Sequence, residues 1–231
     1  MTDQPAVASQ LKAADTPTIS NALVSLRGRT LAGYTRLPHV AATPNAPPMV
    51  GYAVTARLVS DRPPTLSAAE QKALRAAYYR YVGAPARPRI VVIEDCGDIP
   101  GLGSFWGEVN TAIHLGLGVS GVITSGAVRD LHLLSEDLPI LAGNVCLSNG
   151  YAHLVEIDVP VSVFGMQVKP GDLIHADRHG AIVIPPEHLA GLPAAIDAVN
   201  AREQQVIAAT RAPGFDAEAM IKAWEVMEKH H

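Results

Sequence analysis

The chain has 231 residues, 48% of them hydrophobic, which is enough to bury a sizeable core as one domain. Its net charge of -4 is spread over interspersed acids and bases, with no basic stripe to neutralise a row of phosphates, so nucleic acid is not an expected ligand. Two isolated cysteines, Cys96 and Cys146, read as free thiols of a reducing compartment; with no basic N-terminal region before an apolar run and no long uncharged apolar stretch, the expectation is a cytoplasmic protein without membrane contact.

In chain order, apolar residues at helical spacing over 9–26 predict two short helices, with Pro17 fitting the first turn of the second behind Thr16. Residues 38–48 hold four prolines and predict a loop, followed by a strand over 50–59 and a break at Arg62-Pro63-Pro64. A helix is expected over 67–81. Ile90-Val91-Val92-Ile93, bounded by Pro88 and by Glu94-Asp95, predicts a strand buried on both faces. An irregular stretch over 96–106 leads to a helix at about 107–117 and a second buried strand at 121–124.

That strand, helix, strand unit should cross over right-handedly and bring the loops after both strands to one sheet edge, where α/β proteins bind ligands. Short strands are expected at 139–142, 160–168, 172–175 and 181–184, with turns at Lys169-Pro170-Gly171 and Asp177-Arg178-His179-Gly180. One long helix over 187–210 and another over 216–228 close the chain. His230 and His231 are set aside from any argument about metals.

The residues able to do chemistry gather at the crossover. Arg129 offers a planar fork for a carboxylate, and Asp130 a hard oxygen ligand for a divalent cation, a pairing suited to a metal-chelating 2-oxo acid. The same pair would also serve as a cap on a short helix at 131–136 and a surface ion pair. Glu108 stands in the first turn of the following helix, where acids are favoured by the dipole in any case, behind a loop whose backbone amides can face an anion.

Topology brings Glu108, Arg129 and Asp130 to the same edge. Gly101, Gly103 and Gly107 invite a dinucleotide-binding reading, but they are spaced GxGxxxG and begin five residues beyond the preceding strand and its acids, too far for that tight turn. His175, Asp177 and His179 are read as a hairpin rather than a metal cluster, and His114 and His132 as packed or surface histidines.

Phe105-Trp106-Gly107-Glu108, followed after twenty residues by Arg129-Asp130, resembles the signature of the aldolase branch of the RraA-like proteins, the class II 4-hydroxy-4-methyl-2-oxoglutarate / 4-carboxy-4-hydroxy-2-oxoadipate aldolases. The resemblance runs from about 16 to 185 and includes Val50-Gly51-Tyr52-Ala53-Val54-Thr55 and Pro170-Gly171-Asp172-Leu173-Ile174-His175-Ala176-Asp177. It implies an α/β, RraA-like swivelling-type β/β/α domain with N- and C-terminal helices, a single domain whose helical extension covers 187–231. It also implies a homotrimer or hexamer with sites between subunits.

In that pattern Asp130 matches the ligand of Mg²⁺ or Mn²⁺, Arg129 the residue that holds the substrate, and Glu108 the acid that orders a metal-bound water. Ser104, Phe105, Trp106 and Gly107 match the loop whose amides bind the pyruvyl carboxylate, and Glu203 stands at the offset of a glutamate contributed by a neighbouring subunit. The implied activity is cleavage of a 4-hydroxy-2-oxo acid to pyruvate and a second oxo acid, with oxaloacetate decarboxylation as a side reaction. The family also holds RraA, a regulator that binds ribonuclease E and lacks the aspartate of the Arg-Asp pair; this chain keeps it, so an enzyme is expected and a regulator is the alternative.

Overall fold

The computed structural model describes residues 4–84 and 88–228. The chain opens with α1 (Gln4–Ala13) and α2 (Thr16–Arg27), continues through β1 (Val40–Ala41), β2 (Met49–Val59), α3 (Ala68–Gly83) and β3 (Arg89–Asp95), and reaches β4 (Ser104–Trp106), α4 (Glu108–Gly116) and β5 (Val119–Val128). Strands β6 (Ile140–Val145), β7 (His153–Ile157), β8 (Val161–Val163), β9 (Met166–Val168), β10 (Leu173–Asp177) and β11 (Gly180–Ile184) follow, and α5 (Leu192–Thr210) and α6 (Ala217–Glu228) end it.

The main sheet runs β1-β6-β5-β3-β2-β10-β11. Its four middle strands, β6, β5, β3 and β2, are parallel, while β1, β10 and β11 join antiparallel. Two strands outrun their neighbours. The first half of β2 pairs with β10 and its second half, on the same edge, with β7. β5 extends past its last pairing with β3 at Thr124, and β4 takes the vacated edge at Ala127 and Val128.

The run 90–93 behaves as its composition dictates. Ile90, Val91, Val92 and Ile93 are all fully buried, alternating between two cores. Val91 and Ile93 pack with Tyr78 and Val82 of α3, whereas Ile90 and Val92 pack with Val161, Val163 and Met166 of the β8-β9 hairpin. Each such side chain contributes roughly 1.5–3 kcal/mol of burial, which explains why so apolar a strand occupies the middle of the sheet. A third core joins Ile19 and Leu23 of α2 to Leu192 and Ile196 of α5.

Several expectations shift. The loop at 38–48 contains β1, and the stretch at 96–106 ends in β4. The single strand at 160–168 is a hairpin, folded by Phe164 and Gly165 at φ 50° and 79°, the conformation of a two-residue turn that follows strand twist. The helix expected over 187–210 is a 3₁₀ turn at Pro186–His188 followed by α5, because Pro193, lacking an amide proton, fits the first turn and not the interior of a helix. The helix at 131–136 contracts to one 3₁₀ turn, Leu131–Leu133.

Candidate active site

The edge where β4 and β5 end carries the signature residues. The Arg129 amide donates to the Trp106 carbonyl at 2.9 Å, carrying the β4-β5 pairing one residue further. Asp130 then turns into the left-handed region at φ 57° and ψ 36°, a conformation Asp tolerates at a cost of about 1 kcal/mol. The turn aims its carboxylate back at α4, where Oδ2 accepts the Glu108 amide at 3.2 Å. Asp130 therefore caps α4, and makes no side-chain cap on the 3₁₀ turn that follows it.

Gly107 makes this approach possible. A methyl group at that position would lie 2.5 Å from Asp130 Oδ2 and 3.0 Å from Arg129 Nε, so any larger residue would push the aspartate and arginine away from the helix. Arg129 Nε stands 3.6 Å from Asp130 Oδ2, buried and without a hydrogen-bond partner. The amides of Val109 and Asn110, in the first turn of α4, have no intrahelical acceptor.

Arg129, Gly107, Val109 and Asn110 line a cavity of about 420 Å³ together with Ser104, Phe105, the α3 residues Gln71, Arg75 and Tyr79, and the segment containing Asn149, Ala152, His153 and Leu154. Glu108 and Asp130 sit beside this cavity, outside its wall. No carboxylate is among its lining residues; Arg75, Arg129 and the N-terminus of α4 border it, with Asp130 Oδ2 3.6 Å from Arg129 Nε.

The aromatic loop divides its work. Trp106 is fully buried, its ring 4.5 Å from that of His114, so the indole belongs to the core. Ser104 is also buried; its amide donates to Ser148 and its hydroxyl lies between the carbonyls of Trp106 and Ala127. The Ser104 amide is thus engaged, while Gly107 of the loop and Val109 and Asn110 of α4 line the cavity. Phe105 lines the cavity, and its carbonyl accepts from the Asn110 side chain. Glu203 is exposed on α5, accepting from Asn21 of α2 at 3.4 Å, away from the cluster within one chain.

The histidines resolve by their bonds. His114 Nδ1 donates to the Asn110 carbonyl at 2.6 Å, leaving Nε2 to accept from the Tyr78 hydroxyl at 2.7 Å. Burial pushes its pKa down to about 4, and burial likewise raises that of Tyr78. His175 is buried within β10, its Nε2 facing the carbonyls of Leu11 and Ala14 and its Nδ1 the Thr16 hydroxyl, so it clasps the start of the chain to the sheet. Asp177 and His179 form the β10-β11 turn, and His132 is exposed.

Among the described residues no three carboxylate, imidazole or thiol groups converge as a metal cage. Asp130 alone fits a hard divalent cation that draws its remaining ligands from water and substrate, as Mg²⁺ commonly does. Cys96 and Cys146 are free, and no helix among the described residues is long and apolar enough to cross a membrane.

Residues 16–183 match the model of the RraA-like family, described as Aldolase/RraA. The chain belongs to the RraA-like family. Among curated relatives it is 37% identical over 73 residues to a 4-hydroxy-4-methyl-2-oxoglutarate aldolase of Thermus thermophilus, covering 29% of this chain and 43% of that protein. It is 29% identical over 112 residues to protein DlpA of Legionella pneumophila, covering 47% of this chain and 18% of that one. The chain thus spans well under two thirds of either relative.

A solved structure from Pseudomonas syringae pv. tomato superposes with a TM-score of 0.70 at 23% identity over 94% of both chains. RraAS2 of Streptomyces coelicolor, described as an unusual member of the RNase ES inhibitor RraA protein family, superposes at 0.59 and 23% over 86% of this chain and 92% of that one. These likenesses establish the RraA-like fold.

Proposed function

We propose that this RraA-like chain is a divalent-metal-dependent lyase that cleaves a 4-hydroxy-2-oxo acid to pyruvate and a second oxo acid, and that it also decarboxylates oxaloacetate. The observation that carries this reading is the Glu108 amide bonded to the Asp130 carboxylate, which holds Arg129, Asp130 and the open N-terminus of α4 around the mouth of a cavity without acids. The aldolase from Thermus thermophilus supports the reaction class.

Arg129 grips the substrate carboxylate through two of its N–H groups, and the Val109 and Asn110 amides complete the cradle. Asp130 would hold Mg²⁺ or Mn²⁺, which when bound acts as a Lewis acid for the negative charge that develops on the keto oxygen during carbon–carbon cleavage. Glu108, exposed on the first turn of α4, accepts the proton of the 4-hydroxyl directly or through one water, and returns a proton to the carbon left on the pyruvyl fragment. Phe105 and Tyr79 narrow the cavity and limit water around the reacting bond.

Assembly as a trimer or hexamer belongs to the same proposal. Leu131, Leu133, Val145 and Leu147 are exposed beside the site, Leu147 at 94%, and a neighbouring copy would cover them while bringing its own Glu203 to the cluster. The test is a screen of 2-oxo acids for pyruvate release, with and without EDTA, on protein whose mass is followed by light scattering. Pyruvate release that survives exhaustive chelation overturns the metal-dependent reading. No turnover of any 2-oxo acid, together with capture of a ribonuclease E-type partner, establishes the regulator instead.

A further inference from the structure

The cavity wall holds an imidazole that the proposed cleavage leaves unused. His153 opens β7, paired with Val59 at the end of β2, and lines the cavity together with Arg129, Tyr79 and Asn110. The segment leading to it is fastened on both sides: the Tyr151 amide donates to the Ser60 carbonyl at 3.2 Å and the Ala152 amide to the Asn149 carbonyl at 2.9 Å. Any side chain at position 103 would collide with that Asn149 carbonyl, so Gly103 lets the segment pack directly on the loop before β4.

The ring is set by a bond of its own. His153 Nδ1 lies 2.6 Å from the Tyr151 carbonyl, which can only accept, so Nδ1 carries a hydrogen. Nε2 has no hydrogen-bond partner among the described residues and is the nitrogen left to gain or lose a proton. Because Nδ1–H is present in both charge states, a proton can pass through Nε2 without turning the ring.

The oxaloacetate reaction calls for such a group. In cleavage of a 4-hydroxy-2-oxo acid, Glu108 receives from the hydroxyl the proton that it returns to carbon. Oxaloacetate has no such hydroxyl, so once CO₂ departs the enolate needs a proton from a group that already carries one. Among the side chains lining the cavity, Arg75 and Arg129 hold theirs too tightly, and burial raises the pKa of Tyr79 and makes it a poorer acid. The Ser104 hydroxyl is turned to the carbonyls of Trp106 and Ala127.

We propose that His153 is a further catalytic residue of this site, the acid that protonates C3 of the pyruvate enolate in oxaloacetate decarboxylation. The inference rests on the 2-oxo acid lyase reading and divides its proton transfers between two residues. The C3–C4 bond of oxaloacetate breaks, its electron pair passes into the enolate and C4 leaves as CO₂. The imidazolium Nε2–H then gives its proton to C3, leaving pyruvate and a neutral ring that regains a proton from water.

The test compares, in Mg²⁺, pyruvate formation from oxaloacetate and from 4-hydroxy-4-methyl-2-oxoglutarate. His153→Asn keeps an amide donor for the Tyr151 carbonyl and removes Nε2; His153→Gln puts an amide that cannot act as an acid near the place of Nε2. Both should lower kcat for oxaloacetate roughly a hundredfold, the scale of losing a general acid, and lower cleavage of the 4-hydroxy acid by a far smaller factor. Glu108→Gln should show the opposite bias. Circular dichroism and calorimetric titration with pyruvate check that each variant folds and binds.

Decarboxylation that survives in both His153 variants, or an equal loss of the two reactions, overturns the role of His153. A wild type that cleaves the 4-hydroxy acid but leaves oxaloacetate intact overturns it too, with the lyase reading still standing. Turnover of neither substrate removes both.

Discussion

Asp177 closes β10 and Asp130 follows β5, and each accepts a hydrogen bond from a backbone amide in the first turn of a helix: Thr16 of α2 in one case, Glu108 of α4 in the other. Asp177 is 8% exposed and engaged at both oxygens, since Oδ2 takes the Thr16 amide at 2.9 Å while Oδ1 takes the amide and ring nitrogen of His179. Asp130 has a side chain 36% exposed, a single amide at 3.2 Å and a guanidinium at 3.6 Å. The difference teaches that a buried cap with both oxygens engaged is a fastening, whereas a half-exposed cap with one oxygen to spare beside an open cavity can also take a ligand.

The largest expected effect falls on Asp130. Asp130→Ala should lower kcat by about 10²–10³ or more, the scale of removing a main charge-stabilising group, and EDTA should do the same to the wild type until Mg²⁺ or Mn²⁺ is restored. Thermal melting should move little. A variant that melts much earlier but turns over normally would make Asp130 a second Asp177.

Burial on α4 itself is tested by pH. His114, with a folded pKa of about 4 against 6.5 in the unfolded chain, is neutral in the fold. Its contribution is therefore fully present above pH 6.5 and is lost as the unfolded chain takes up the proton between 6.5 and 4. Denaturation at pH 7 and pH 4 should differ by about 3 kcal/mol from this group, and His114→Leu should flatten that part of the profile whatever it does to stability at pH 7.

Arg129→Lys keeps the charge and loses the fork, so kcat/KM should fall about ten- to a hundred-fold at nearly unchanged metal affinity, measured by steady-state kinetics and metal titration. Loss of metal affinity in this variant would place Arg129 in service of Asp130 rather than of substrate. The smallest change is expected from Asp177→Ala: about 2 kcal/mol of stability, by loss of a helix cap, with kcat retained. Burial tends to raise the Asp177 pKa, but the Thr16 and His179 bonds outweigh it and lower the value below 3.8. Its stabilisation is thus present above that pH and fades as pH falls through the lower folded value, so Asp177→Ala should be less sensitive to acid in that range.

The sequence by itself determined the elements whose burial is total or whose breakers are strong: 90–93, with no polar side chain in the run, is a strand in any compact fold, and Pro17 at the head of α2 needs nothing distant. It also determined that Glu108 and Arg129-Asp130 share an edge, because a parallel crossover allows no other placement. Only the tertiary structure decided the rest. β4 is three residues among glycines, with no pattern of its own, and exists because β5 outruns β3 and leaves a row of unpaired amides and carbonyls. β7 likewise fills the second half of the β2 edge.

The α3 wall of the cavity was equally out of reach. The helix over 67–81 is legible in its pattern, but nothing local says that Gln71, Arg75 and Tyr79 line a cavity beside α4. Trp106 was visible as an aromatic in a signature, but whether its ring faced ligand or core depended on His114, on a different element. Local pattern fixes which residues can be buried or can bind; which of them meet is set by long-range pairing, whose energies no single segment carries.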